Sequence, residues 1–86
     1  MASYQDFPVS IHASTSLVGE RSDGKKYYIV GALNRNTSSF EEVENAQSVS
    51  FLNVPANACL SVPGAGIPVD NFKCGSANIQ VLYYIK

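Results

Sequence analysis

Apolar and polar side chains alternate along this chain in short runs, and clusters of Gly, Pro, Asn, Asp and Ser separate the runs. Val9-Ser10-Ile11-His12-Ala13 has the two-residue period of a half-buried strand. Residues 25–30, with Tyr27, Tyr28, Ile29 and Val30, form a stronger strand that Gly31 closes. Residues 47–54 form another, with Val49, Phe51, Leu52 and Val54. Residues 58–62 begin strand-like, and Ile67-Pro68-Val69 is extended. Pro68 has no amide proton and so belongs at an edge or bulge. Residues 79–85 set Ile79, Val81, Tyr83 and Ile85 on one face. Leu82 and Tyr84 on the other show that this second face is not fully wet. Residues 1–7 read as an extended arm, and 34–39 and 70–75 as loops. Ser39 and Glu42 have the spacing of a capping box, which predicts one helical turn over residues 40–45. Seven or eight short strands with regular turn signals make an all-β sandwich or barrel.

Residues 12–19 link the first two strands. A ring (His12), four small or turn-forming positions, an apolar residue (Leu17), a spacer and Gly19 outline a hairpin folded over its own first strand. Gly19 is expected to supply a positive backbone dihedral there. The same spacing returns at Cys59, Gly64 and Gly66. Each of the two stretches is followed by a closing strand, Val49-Ser50-Phe51-Leu52-Asn53-Val54 and Ile79-Gln80-Val81-Leu82-Tyr83-Tyr84. The chain therefore reads as two diverged copies of one unit.

In this arrangement the chain resembles the single-domain microbial and fungal βγ-crystallins. The family's hairpin signature is an aromatic residue, four spacers, an aromatic, one spacer and Gly. His12-Leu17-Gly19 matches it with a ring and an aliphatic residue, whereas Cys59-Gly64-Gly66 keeps only the last Gly. The closing-strand Ser of the family has its counterpart in Ser50, and Gln80 replaces it in the second copy. The resemblance implies one domain over residues 1–86, with two Greek keys, about 8–54 and 56–86, forming a βγ-crystallin-type β-sandwich. Many microbial members bind Ca2+ through two Asn/Asp residues, two spacers, Ser/Thr and Ser. Ca2+ needs six to eight oxygen ligands, with carboxylates offsetting its dehydration. In this chain Ala46-Gln47 and Ser76-Ala77 stand where the acidic pairs belong, and Phe51 replaces the final Ser of the first run. A two-residue shift keeps the strand face and offers Glu44, Asn45, Ser48 and Ser50 as a weaker set, though Val49 breaks it. The expectation is little or no Ca2+ binding and no other cofactor.

The remaining chemistry is sparse. His12 is the single histidine, has no evident carboxylate partner, and takes the hairpin ring position. Ser14 and Ser16 are turn residues, and no nucleophile-elbow run is present. Glu41, Glu42 and Glu44 crowd one polar turn instead of facing each other across a cleft, as a glycosidase requires. Pro63-Gly64-Ala65-Gly66 precedes no helix or Lys, so it is a turn and not a phosphate loop. The expected catalytic set is empty.

Six basic and seven acidic residues give a net charge of −1, and the basic ones are scattered, so nucleic acid and anionic membranes are not expected partners. Each Tyr pair, Tyr27-Tyr28 and Tyr83-Tyr84, is expected to place one ring in the core and one at the surface. Asn36-Thr37-Ser38 is a glycosylation sequon, relevant only to a secreted chain. No basic, then apolar, leader opens the sequence, so a cytoplasmic protein is expected, with a mature secreted form as the other possibility. Cys59 and Cys74 are too few for a disulfide framework or a structural zinc site, and their spacing leaves a bridge undecided. A structural, storage or stress-type protein, monomeric or weakly self-associating, is the leading expectation. The alternatives are a weak Ca2+-binding module and a small secreted glycan-binding antifungal or effector protein.

Overall fold

The computed structural model describes residues 8–86. The arm expected over residues 1–7 lies outside them. The described residues form eight strands: β1 (Ser10–His12), β2 (Tyr27–Asn34), β3 (Glu41–Glu44), β4 (Ser50–Val54), β5 (Cys59–Ser61), β6 (Ile67–Val69), β7 (Lys73–Cys74) and β8 (Ile79–Ile85). They form two antiparallel sheets. One runs β1-β8-β2-β5 with β6 also on β2, and the smaller one runs β4-β3-β7. Each sheet draws strands from both halves of the sequence.

The core lies between the sheets. Tyr27, Ile29, Ala32, Ile79 and Val81 from the larger sheet meet Val43, Val54, Phe72 and Cys74. The face expected for Ile79, Val81, Tyr83 and Ile85 does point inward. Between Ile29 and Gly31 the β2–β8 register slips. The extra residue lets both Ile29 and Ala32 face the core, as a β-bulge allows. Val30 is buried although it does not join that core cluster.

The edge segments β5 and β6 both pair with β2, at Gly31–Leu33 and Tyr27–Ile29 respectively, and run in the same direction. They are one edge strand interrupted by residues 62–66. This interruption is held against β2 and β8 by Val62 N–H donating to the Val30 carbonyl (3.0 Å) and Tyr84 Oη donating to the Ala65 carbonyl (2.6 Å). Tyr84 is thereby only 1% exposed, stacked on half-buried Tyr28. Each Tyr pair thus has one buried ring, Tyr27 or Tyr84, and one half-buried ring.

Several expectations give way. β8 lies between β1 and β2 and pairs with both, so the first two strands do not form a hairpin together. Residues 13–26 instead arch across to the smaller sheet, where Val18 and Phe72 exchange backbone hydrogen bonds of 2.9 and 3.2 Å. Gly19 has no positive φ, and a Cβ there would meet nothing within 4 Å. Gly24, Gly64 and Gly66 carry the positive φ values instead. The helical turn expected over residues 40–45 is strand β3. Asn34 Nδ2 takes the Ser39 carbonyl, Gly75 N–H binds the Glu42 carbonyl, and Val43 is buried between half-buried Glu42 and Glu44. An isolated helical turn is costly to nucleate, so the two-residue alternation and sheet pairing decide the outcome. Residues 70–75 contain β7 and the fully buried Phe72 rather than an open loop.

Candidate functional site

The arch at residues 12–19 holds the single histidine. The His12 ring packs edge-on against Phe72, with centroids 5.5 Å apart, and its Nε2–H donates to the Ser16 carbonyl at 2.8 Å. Tyr27 and Tyr83 also contact Phe72 edge-on, at 5.5 and 5.1 Å. The expected packing role of His12 thus has a partner, Phe72, that the loop reading of residues 70–75 missed. The legible signal was the alternation Asn71-Phe72-Lys73-Cys74, too short to stand out. Leu17 is exposed, and the half-buried residue packed against the core is its neighbour Val18. The Gly19 carbonyl accepts the Tyr27 hydroxyl at 2.6 Å.

Cys59 is exposed and Cys74 buried, and both thiols are free. Burial pushes the Cys74 thiol above its ordinary value, opposing thiolate chemistry. Gly64 and Gly66 lie in the 62–66 interruption, so Cys59, Gly64 and Gly66 follow one sheet edge without folding back on it.

The weaker Ca2+ set falls on the β3–β4 turn. Glu44 stands opposite Ser50 in the register. Asn45 Oδ1 accepts the N–H groups of Gln47 (2.9 Å) and Val49 (3.0 Å), closing the turn. Ser48 takes a left-handed φ of 60°, and its hydroxyl accepts the Lys73 ammonium at 2.9 Å. Ser50 Oγ is 3.3 Å from Asn53 Oδ1. Three of the four proposed side chains are therefore already in hydrogen bonds, Asn45 and Ser48 as acceptors, the latter from a cation, and Ser50 as a donor to Asn53.

Glu41 is drawn out of any paired-carboxylate arrangement. Asn36 Nδ2 donates to its Oε2 at 2.9 Å and, with Ser76 and Asn78, holds its carboxyl below the ordinary range against desolvation. Asn36 Nδ2 also donates to Ser39 Oγ, so the nitrogen a glycan would need is occupied. Among the described residues no group of three or more His, Cys, Asp or Glu side chains converges on a metal position.

A cleft of about 420 Å³ opens between β6 with its exit and the β3–β4 turn, lined by residues that include Asn45, Gln47, Phe51, Pro68, Asp70 and Asn71. The Asn71 Oδ1 accepts the Ala46 N–H at 2.8 Å, which ties the two walls together. Asp70 lies 3.6 Å from the Lys26 ammonium. Sequence reasoning did not single out this cleft, because its walls lie 16 or more positions apart and meet only in the tertiary structure.

Set against known protein families, characterised proteins and solved structures, the chain matches none. Function must be argued from its own geometry. In that geometry six side chains at loops and strand ends bind nearby backbone. Ser14, Asp23, Asn34, Asn36, Asn45 and Ser76 each accept an N–H from two residues downstream. These are Asx and Ser/Thr turns, in which a side chain replaces a backbone acceptor and fixes the loop.

Proposed function

We propose that this chain is a compact, non-enzymatic protein of structural, storage or stress type, with the βγ-crystallin likeness of its sequence expressed as a two-sheet sandwich. In this reading the two Greek keys are interleaved, since β1 closes on β8 and β3 on β7. The observation that carries it is the use of the polar side chains. Those that would do chemistry elsewhere, His12, Glu41, Asn45 and Ser48, hold turns or neighbouring loops together. Little or no Ca2+ binding belongs to the same proposal, since a divalent ion at the β3–β4 turn would face the Lys73 ammonium. Free thiols at Cys59 and Cys74 fit a reducing compartment such as the cytoplasm.

Two measurements test this. A structural or storage protein accumulates, so quantitative immunoblotting should find it among the abundant proteins of the cells that make it; trace amounts would overturn the role. Calorimetric titration of chelator-treated protein with CaCl2 should give no binding heat. A site filled at a hundredfold excess over its Kd would add about 2.7 kcal/mol. For a domain of this size that is a Tm rise of about 10 °C or more. Such a rise would favour the Ca2+-binding module instead.

A further inference from the structure

The structural reading leaves the cleft between β6 and the β3–β4 turn unused. Its volume of about 420 Å³ falls within the ~300–1,000 Å³ typical of small-molecule sites. Its polar groups are fixed in a particular sense. Backbone N–H groups bind the Oδ1 atoms of Asn45 and Asn71, so each amide keeps its NH2 as the group free to donate. Because the turn already holds both side chains, binding a ligand there costs little further ordering. Gln47 makes no internal side-chain hydrogen bond among the described residues, and so keeps both donor and acceptor. Asp70 supplies a carboxylate, and Phe51, Ile67, Pro68 and Val69 supply apolar surface.

That inventory discriminates between ligand classes. An anion such as phosphate would meet the Asp70 carboxylate, and the two cations beside the cleft are already engaged, Lys26 facing Asp70 and Lys73 donating to the Ser48 hydroxyl. A divalent cation would find one carboxylate and two amide oxygens that are already engaged. A purely apolar ligand would strip water from three amide side chains without replacing their hydrogen bonds, which is costly. A neutral polyhydroxylated ring satisfies all the groups together. Its hydroxyls accept from the Asn amides and donate to Asp70, while its C–H face covers the Phe51 ring. We propose that this cleft binds a neutral pyranose saccharide, with Phe51 as the stacking surface, Asn45, Gln47 and Asn71 as donors, and Asp70 as acceptor.

The test is an NMR titration of the 15N-labelled full chain with cellotetraose, chitotetraose and maltotetraose in separate arms, which distinguish wall β-glucan, chitin and storage α-glucan. At least one should cause saturable shifts at the backbone amides of Gln47, Phe51 and Asn71. Gln47→Ala removes a side chain with no internal bond, and Phe51→Leu keeps apolar bulk but loses the ring. Each should weaken binding about tenfold, the scale of an aromatic or hydrogen-bonded contact. Gln47→Ala should leave Tm unchanged, so its effect is readable even if Phe51→Leu unfolds. Saturable shifts confined to another surface, undiminished binding by Gln47→Ala, or no saturable shift in any arm would overturn the proposal.

Discussion

Gly66 is the position where one added methyl should be felt most, and the reason separates into two measurable parts. Its φ is +96°, and a Cβ would lie 2.7 Å from the Ile29 carbonyl oxygen and 3.1 Å from Val30 Cγ1. Gly64, two residues earlier, has φ +72° but open space around the same atom. Gly19 has open space and no positive φ. Alanine at Gly64 incurs the left-handed strain of about 1–2 kcal/mol. The smaller conformational entropy of the unfolded variant offsets about 0.4–1 kcal/mol of it, leaving a net loss near 1 kcal/mol. Alanine at Gly66 adds overlap with a backbone oxygen that belongs to the β2–β6 pairing and cannot rotate away. Overpacking of this kind costs about 1–3 kcal/mol, for a total of about 2–4 kcal/mol. Gly19→Ala should stay within about 0.5 kcal/mol of wild type. Urea unfolding of the three variants, compared at equal m, reads these differences directly. In a thermal melt, Gly66→Ala should lose about 10 °C or more. If Gly66→Ala were no worse than Gly64→Ala, the close approach of the 62–66 interruption to β2 would be refuted. A large loss in Gly19→Ala would return the hairpin role to residue 19.

Three further outcomes are expected. Asn34 is fully buried, and its Nδ2 serves the carbonyls of Ser39, Val54 and Pro55 at 3.0–3.1 Å. Asn34→Ala should therefore cost about 2–3 kcal/mol in urea unfolding, and a loss below about 1 kcal/mol would show that these bonds do not join β2 to β4. A thiol reagent should titrate Cys59 alone in the native protein and both cysteines in urea; two fast native thiols would contradict the burial of Cys74. Glu41 has its folded pKa lowered, chiefly by the Asn36 amide, so its stabilising contribution is complete above the unfolded pKa and disappears as pH falls through the folded value. Asp23, held down to about 2 chiefly by Arg21, follows the same sign at lower pH. Urea midpoints from about pH 6 to about pH 3 should fall less steeply in Glu41→Gln than in wild type, and an unchanged slope would remove Glu41 from the acid sensitivity.

Much of the framework is local, and locality is why it is legible in the sequence. β4, β8 and the first half of β2 follow from β-branched and aromatic residues, a property of the strand alone; β2 does not close at Gly31 but runs on to Asn34, because β8 and β5 pair with it there. The turns follow from Asn, Asp and Ser, because an Asx or Ser/Thr turn closes within two residues. The presence of Leu82 and Tyr84 on the second face of β8 already indicated cover there, which residues 62–66 provide through the Tyr84–Ala65 bond.

The tertiary structure decided which strands meet. β8 inserts between β1 and β2 because its alternating face completes the core, and no local pattern names a partner 45 or more residues away. β3 and β7, four and two residues long, are too short for propensity to settle. Val43 and Cys74 become strand residues, and Phe72 bridges to Val18 just ahead of β7, because the opposite sheet buries them. The glycine that matters is likewise chosen by what lies beside it. Gly19 and Gly66 are equivalent in the motif spacing, but only Gly66 is pressed against another strand. The cleft is the extreme case: Asn45 and Asn71 come together only when β3 pairs with β7, and the β6 wall reaches them only when the two sheets stack, so tertiary contacts assembled the cleft from parts that are far apart along the chain.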